Sequence, residues 1–535
     1  MNRFWNALVH GLVFAIWRSS RLSPARRRGW LLGLCLSLFA LSSMAVAAPP
    51  IKSLFHNEDE TNFFYFRDIV PEKAGQTIDH YVDVMAQAGV TTFFCNTNAR
   101  RTNYRSGVWD AYWDGYDPAG PDDQPFLAPI PRQDVANYRR LIRNMLIVHQ
   151  QGIDYPARVI QRCRHDGMSP WITLRMNDCH MNDMPTHPFH GNFWRKNPQL
   201  CRKNCPGYFA NCLDYAHREV RDYYQALVVE TLDRYDIDGL ELDFMREPYL
   251  FSAGKEAEGA PILTAWIREV RKLVDGAAAK RGHPIRLGVR VPSRPETALG
   301  LGLDAITWAK EGLIDLLVVT PRWATLEFDM PLAQWRQMLG ASKATLAGGL
   351  EIICRPAGLP PDAATPELAR GAALSVLSGG ADAVYLFNYF QDSTWTLPVY
   401  LETLKAMTSV ESLVTGPRSV AITYRDITAP GEDYQPLLPA TGKEIVLPMK
   451  LGPLPNAHRR CQLLVGLASS SAAPAASVNG KPCDFCHETV KDGLRLVTFN
   501  VPATALAGIE VHQIKLSSKD RSVLTIQQVE MSLRE

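Results

Sequence analysis

The chain has 535 residues, of which 46% are hydrophobic and 21% are charged, and its formal net charge is +2. This composition is that of a globular protein with one large or two ordinary domains. Because the charge is nearly balanced, it argues against nucleic acid or an acidic polymer as the default partner, and we expect no nucleic-acid partner.

The first 48 residues predict an export leader. In SPARRRGWLLGLCLSLFALSSMAVAAPP, a basic segment leads into an apolar core that ends in small residues, so we expect cleavage near Ala47 or Ala48. Neither this core nor the earlier stretch FWNALVHGLVFAIW reaches the roughly 20 apolar residues of a membrane span. We expect an exported protein, periplasmic or secreted, without stable membrane insertion after cleavage; a leader retained as an anchor is the alternative.

Eleven cysteines are present, and all except Cys35 follow the leader. An exported chain permits disulfides. The spacing Cys201-x3-Cys205 and the run CDFC would also suit zinc, but neither is accompanied by a clear second pair of zinc ligands. We therefore favour disulfides or inert thiols, and we predict no metal and no cofactor.

Strand-like and helix-like segments alternate from about residue 55 to about residue 410. The eight apolar runs that predict strands are NFFYFRDIV, VTTFFCNTN, PWITLRMND, GLELDFMR, IRLGVRVPS, IDLLVVTPR, TLAGGLEII and ADAVYLFNYF. Amphipathic segments such as QTIDHYVDVMAQAG and PILTAWIREVRKLVDGAAAKRG lie between them. This alternation predicts a (β/α)8 TIM barrel.

From about residue 415 to residue 535 the pattern changes to short strands of alternating polarity, separated by Pro, Gly and Asn. It predicts a small all-β sandwich that carries no catalytic group, since it shows no cluster of acids.

Chemistry in a (β/α)8 barrel takes place at the carboxyl ends of the strands. Glu241 and Asp243 stand two residues apart in the fourth predicted strand, so they share one face. The residues expected at the strand ends are, in chain order, Arg67, Asp68, Asn96, Asn98, Arg175, Asn177, Asp178, Glu241, Asp243, Arg246, Arg290, Arg322, Trp323, Glu351, Arg355, Asn388 and Tyr389. They predict a polar cup at one end of eight apolar strands.

Aromatic residues are concentrated in the long predicted loops. The second strand is followed by VWDAYWDGYD, which contains Trp109 and Trp113, and the loop after the third contains Trp194 and Tyr208. Flat rings beside Asp and Asn suit the C–H faces and hydroxyls of sugars. The alternative is that these rings only pack the loops onto the barrel.

The alternating strands, the strings DGLELDF and GGLEI and the trailing sandwich resemble the (β/α)8 glycoside hydrolases, and particularly a secreted glycosyl-hydrolase-like branch. DGLELDF is similar to the chitinase signature DGxDxDxE, but this chain has Met245 at the position of the catalytic glutamate. It is also similar to the fourth-strand element of amylase-like and α-galactosidase-like enzymes, in which the last acid is the nucleophile. The resemblance implies that role for Asp243.

Glycoside cleavage requires two carboxyl groups. We assign Asp243 as the nucleophile and Glu351 as the acid/base, with Asp178 as the reserve partner; a purely structural ion pair is the alternative for Glu351. We expect Asp243→Asn to remove turnover and leave the fold intact.

The residues expected to bind substrate are Arg67, Asn96, Arg175, Asn177, Glu241, Arg246, Arg290, Arg322, Trp323, Asn388, Tyr389, Trp109 and Trp113. The many arginines among them suggest a glycan that carries uronate or sulfate. Two other functions fit the same residues: a metal-dependent lyase or hydrolase, with Asp178 and Glu241 or Asp243 as ligands, and a non-catalytic glycan-binding protein.

Overall fold

A computed structural model describes residues 54–534, except 206, 208, 323, 357–358, 361, 392–394, 455–459, 469–470, 473, 519 and 521. The predicted leader lies outside the described residues. In the part that is described, no helix is long and apolar enough to cross a membrane.

Eight parallel strands close into a barrel in which each strand pairs with the next in sequence and the eighth pairs with the first. The strands are β1 Leu54–Asn57, β2 Thr92–Asn96, β3 Ser169–Arg175, β4 Gly239–Asp243, β5 Arg286–Pro292, β6 Leu316–Thr320, β7 Thr345–Glu351 and β8 Ala383–Phe387. A short ribbon, Ile353–Cys354 with Asp362–Ala363, follows β7. The predicted (β/α)8 barrel is confirmed.

The first predicted strand was wrong. The helix Glu60–Tyr65 includes the first four residues of the run NFFYFRDIV, and the four residues of β1 lie before this helix. A short apolar run containing Phe63 and Phe64 fits a buried helix as well as a strand, so periodicity does not separate the two. The end of β1 therefore delivers Asn57 and Asp59 instead of Arg67 and Asp68.

Helices cover the outside of the barrel and lie in its loops. Their bounds are Glu60–Tyr65, Ala74–Gln87, Val135–Gln150, Tyr155–His165, Asn192–Lys196, Arg218–Arg234, Glu256–Arg281, Pro295–Gly300, Ala305–Lys310, Leu332–Leu339, Pro366–Ser378, Leu397–Ala406 and Val410–Thr415. Single 3-10 turns lie at Pro71–Lys73, Pro198–Leu200 and Ala503–Ala505.

One tryptophan fills the amino-terminal half of the barrel. Trp171 on β3 is fully buried, and its ring lies where side chains of the next two strands would project. A Cβ added at Gly239 would lie 2.3 Å from that ring, and one added at Gly288 would lie 2.9 Å from it. The two glycines thus make room for the indole, which seals the barrel below the polar residues.

The C-terminal region consists of two antiparallel sheets. The six-stranded sheet follows the order Arg418–Ala421, Leu524–Arg534, Arg460–Ala468, Leu494–Val501 and Asp484–Lys491, with Ala440–Gly442 also paired to Leu524–Arg534. The four-stranded sheet follows the order Glu444–Lys450, Val511–Ser518, Pro474–Val478 and Lys481–Pro482. Burial alternates along these strands, for instance in Glu444–Lys450, and the buried faces form the core of the predicted sandwich, which is confirmed.

Barrel and sandwich pack closely. At Gly371 in the helix Pro366–Ser378, an added Cβ would lie 1.8 Å from the carbonyl oxygen of Ser419 in the sandwich strand Arg418–Ala421. The described residues belong to one compact unit. The division at about residues 410–415 into two domains therefore stays a prediction.

Candidate active site

Asp243, the last residue of β4, lies inside the barrel in an ion pair. It stands in register with Arg290 of β5, and register partners in neighbouring strands point to the same face. Arg290 Nη1 donates to Asp243 Oδ2 at 3.0 Å, and the backbone N–H of Met245 donates to Oδ1 at 2.8 Å. Both charged side chains are almost fully buried, at 0% and 1% exposed, so the two acids of β4 do face the interior.

Glu241 lies one layer deeper and is held by neutral donors. Its Oε2 accepts from Thr173 at 2.6 Å, from Tyr385 at 2.8 Å and from Asn57 at 3.2 Å. Burial, reinforced by the charge of Asp243, raises the pKa of Glu241 to about 7. Glu241 is therefore enclosed below Asp243 by neutral hydrogen-bond donors.

Glu351 ends β7 and faces the interior as well. It is in register with Phe387 of β8, whose ring lies 4.1 Å from the Arg290 guanidinium carbon. Asn388, at a φ of 61°, directs its Nδ2 to both oxygens of Glu351, at 3.1 and 2.9 Å. Burial raises the pKa of Glu351 to about 8, although Asn388 and the charges of Arg290 and Arg246 oppose the shift. Glu351 therefore holds a proton at neutral pH.

Asp178, which follows β3, belongs to a separate charged group. It accepts from Arg175 at 3.2 Å and from the Nδ1 of His180 at 2.7 Å, and Arg175 also pairs with Asp59 at 2.9 Å. Burial alone would raise the pKa of Asp178, but the attraction and hydrogen bond of His180, with Arg175 and Arg246, hold it well below its usual range. Asp178 is thus an anion that orients His180.

Two further arginines follow the strand ends. Arg322 pairs with the buried Glu247 at 3.1 Å. Its backbone N–H donates to Asp426, in the segment after the sandwich strand Arg418–Ala421, at 3.3 Å. Arg246 lies with its guanidinium carbon 5.1 Å from the centre of the Phe387 ring. The mouth therefore combines acids of β4 and β7 with arginines from three strand ends.

Four residues expected at the strand ends make hydrogen bonds to the backbone. The amides of Asn96 and Asn98 donate to carbonyl groups of β3, at 3.1 and 3.0 Å. The side-chain amide of Asn177 donates to the carbonyl of Leu213 and accepts from the backbone N–H of the same residue. Tyr389 is buried, and its hydroxyl donates to the carbonyl of Glu351 at 3.4 Å. These contacts fix the shape of the mouth.

The structure places other predicted residues away from the acids. Trp109 is 5% exposed and stacks on Tyr223 of the outer helix Arg218–Arg234. Trp113 stacks on His149 of the helix Val135–Gln150. Both rings therefore pack loops onto outer helices. This is the arrangement given above as the alternative to sugar stacking.

Arg67 follows a helix and lies over the rings of Phe63 and Tyr81. Asp68 is exposed near Arg140 and Arg143. Arg355 reaches the hydroxyl of Tyr424 at 3.5 Å. Trp323 and Tyr208 lie outside the described residues.

Among the residues the structure describes, no group of three or more His, Cys, Asp or Glu side chains could hold a metal ion. The Asp178 carboxylate accepts hydrogen bonds from Arg175 and His180, and the Asp243 carboxylate pairs with Arg290. The described cysteines are unbonded, and the buried thiols of Cys179 and Cys212 lie within hydrogen-bond reach of each other.

Sequence reasoning missed four residues of the mouth: Asp59, His180, Glu247 and Phe387. The spacing Asp-x-His at Asp178 was a readable signal for His180, since an acid two residues away can orient an imidazole. Asp59 was missed because the first strand was misplaced.

Solvent reaches the mouth chiefly at His180, whose side chain is 35% exposed, and at the half-buried Asn388. A cavity of about 620 Å³ lies elsewhere, between the helix Leu332–Leu339, the helix Pro366–Ser378 and the sandwich, and none of the acids of the mouth lines it.

No family model matches this chain, and no curated protein matches it. Solved structures give distant likenesses. α-L-Fucosidase isoenzyme 2 from Paenibacillus thiaminolyticus is 16% identical over 69% of this chain and 51% of its own, with a TM-score of 0.42. A GH36 α-galactosidase from Geobacillus stearothermophilus is 12% identical over 89% and 55%, with a TM-score of 0.36.

An α-L-fucosidase from Vibrio sp. strain EJY3 is 11% identical over 90% of this chain and 97% of its own, with a TM-score of 0.37. This chain spans about half the length of the first two structures. At such identities the likeness concerns the fold alone, and any conclusion about chemistry has to come from the site.

Proposed function

We propose that this protein is a glycoside hydrolase in which Asp243 and Glu351 are the two catalytic carboxyl groups. One observation carries the proposal: two acids that face the same barrel mouth have opposite environments. Asp243 lies in an ion pair with Arg290 at 3.0 Å, whereas Glu351 has no ion-pair partner among the described residues and burial raises its pKa to about 8. A pair of carboxyl groups pushed into different protonation states is the arrangement that glycoside cleavage requires.

The roles follow from those states. Glu351 would donate its proton to the glycosidic oxygen as the bond from that oxygen to the anomeric carbon breaks. Asp243 would attack the anomeric carbon as that bond breaks and form a glycosyl ester. Water, giving a proton to the Glu351 carboxylate, would then attack the same carbon and break the ester bond, which releases the sugar and frees Asp243. Arg290 lies within electrostatic reach of both acids and contacts Asp243 directly, at 3.0 Å.

The proposal is tested with a panel of polysaccharides and of aryl glycosides with good leaving groups. Asp243→Asn should abolish turnover of both kinds of substrate. Glu351→Gln should spare aryl glycosides more than natural substrates, because a good leaving group needs less protonation. Exogenous azide should restore turnover of aryl glycosides to Asp243→Gly with a glycosyl azide as product, and NMR of the first product shows retention or inversion.

Glu58→Gln is the matched control. Glu58 is buried, and burial raises its pKa to about 8 as in Glu351, but it bonds to Tyr155 of the outer helix layer. This variant should keep full turnover. Loss of activity in Glu58→Gln equal to that in Glu351→Gln would show that any buried acid matters only for folding.

Two outcomes would replace the proposal. Inhibition by a chelator would favour metal-dependent chemistry, since a simple glycosidase does not respond to it. Glycan binding that persists in Asp243→Asn, without turnover by either form, would favour a non-catalytic binding protein.

A further inference from the structure

Arg246 is a buried cation that no carboxylate of the described residues contacts directly, although Asp178, Glu247 and Glu351 lie within electrostatic reach of it. The residue is 7% exposed, and it follows β4 by three positions. Its Nη2 lies 3.5 Å from His180 Nε2, its Nε has no hydrogen-bond partner, and no carboxylate among the described residues forms an ion pair with it. Burying a guanidinium costs free energy that paired acids normally offset.

The neighbouring arginines show what a paired cation looks like in this mouth. Arg175 has two carboxylates, at 2.9 and 3.2 Å, and Arg322 has one at 3.1 Å. Arg290 has Asp243 at 3.0 Å, but its Nε and Nη2 make no hydrogen bond. The fold can therefore supply carboxylate partners for arginines here, but in the described part of the chain neither Arg246 nor the Nε and Nη2 edge of Arg290 has one.

The two incompletely bonded guanidiniums share one ring. Their central carbons lie 5.1 Å (Arg246) and 4.1 Å (Arg290) from the centre of Phe387, the register partner of Glu351. The unsatisfied positive charge thus lies beside the proposed acid, next to an apolar surface. A sugar that placed its glycosidic oxygen at Glu351 would bring its substituents to these cations.

We propose that Arg246, with the free edge of Arg290, binds an oxyanion on the sugar ring, so that the substrate is an acidic glycan. This assignment rests on the proposed glycoside hydrolase function and adds the substrate class. The group is a carboxylate, as in a uronic acid, or a sulfate ester, because guanidinium binds both through paired N–H donors. The protonated Glu351 does not compete with such a group for the two cations.

The test measures binding and needs no turnover. Wild-type protein is titrated with D-glucuronate, D-galacturonate and galactose 6-sulfate, and with glucose and galactose as neutral counterparts, by NMR and calorimetry. At least one acidic probe should bind more tightly than its neutral counterpart by roughly 10-fold or more, as hydrogen bonds to charged groups typically give. Tighter binding of the uronates indicates a carboxylate substrate, and tighter binding of the sulfate ester indicates a sulfated one.

Variants locate the site. Arg246→Met should lower the affinity for the preferred acidic probe roughly 10- to 100-fold and leave the affinity for neutral sugars unchanged. Arg246→Lys should lower the affinity for the acidic probe by a smaller factor. Arg268→Met, at an exposed arginine on the helix Glu256–Arg281, removes the same charge outside the mouth and should bind like wild type. Arg246→Met without ligand should unfold at the same temperature as wild type or higher, because it removes an unpaired buried charge.

Equal binding of acidic and neutral sugars by wild type would overturn the proposal even if every variant failed to fold. Unchanged affinity in Arg246→Met would overturn it as well. Hydrolysis of neutral glycosides without binding of any acidic probe would refute the subsite and leave the hydrolase function intact. Binding of an acidic probe without hydrolysis of any glycoside would refute the function and leave the subsite.

Discussion

The ion pair between Asp243 and Arg290 changes the expectation that Asp243→Asn leaves the fold intact. The two side chains are 1% and 0% exposed and meet at 3.0 Å. Removing one partner of such a pair leaves the other charge buried and alone, which typically costs about 3–5 kcal/mol, whereas replacing both by uncharged groups is often nearly neutral. We therefore expect Asp243→Asn and Arg290→Met each to lower the free energy of unfolding by about that amount.

The double variant Asp243→Asn/Arg290→Met should recover most of this stability and none of the activity. The interaction energy from the double-mutant cycle, measured by urea unfolding, should be several kcal/mol. Turnover measured on the same three proteins separates the two roles, because folding recovers in the double variant and catalysis does not. The reasoning would be refuted if the loss of unfolding free energy in the double variant equalled the sum of the losses in the two single variants to within about 0.5 kcal/mol. Activity in the double variant would refute it as well.

Three further predictions concern other parts of the chain. Because burial raises the pKa of Glu58 from 4.5 to about 8, its contribution to stability is present below pH 4.5 and is lost as pH rises through 8. In Glu58→Gln the free energy of unfolding should therefore fall less with rising pH than in wild type, by an amount that grows at roughly 1.4 kcal/mol per pH unit between the two pKa values and levels off above the higher one. Gly239→Ala would place a Cβ 2.3 Å from Trp171 and should cost about 1–3 kcal/mol or more, whereas Gly276→Ala, in an exposed helix with no atom within 4 Å, should gain about 0.5–1 kcal/mol in chemical unfolding. Mass spectrometry of the exported protein should find its N-terminus within a few residues of Ala48, and an intact leader in the membrane fraction would contradict this.

The sequence alone was enough for the architecture. Six of the eight barrel strands lie inside the runs that predicted them, a seventh, β3, begins one residue before its run, and the alternating strands after residue 415 form the sandwich. These features follow from local periodicity, because a period of two or of 3.6 residues is written into consecutive positions. The same rule placed Glu241 and Asp243 on one face.

The partners of each side chain were decided by the tertiary structure. Strand register around the closed barrel sets Asp243 against Arg290 and Glu351 against Phe387, and these residues lie far apart in the sequence. Trp109 and Trp113 went to outer helices because a loop long enough to reach the mouth can also turn away from it. The raised pKa of Glu351 and the lack of a described carboxylate in contact with Arg246 depend on burial and on distances of a few ångströms between elements, and no local pattern encodes either quantity.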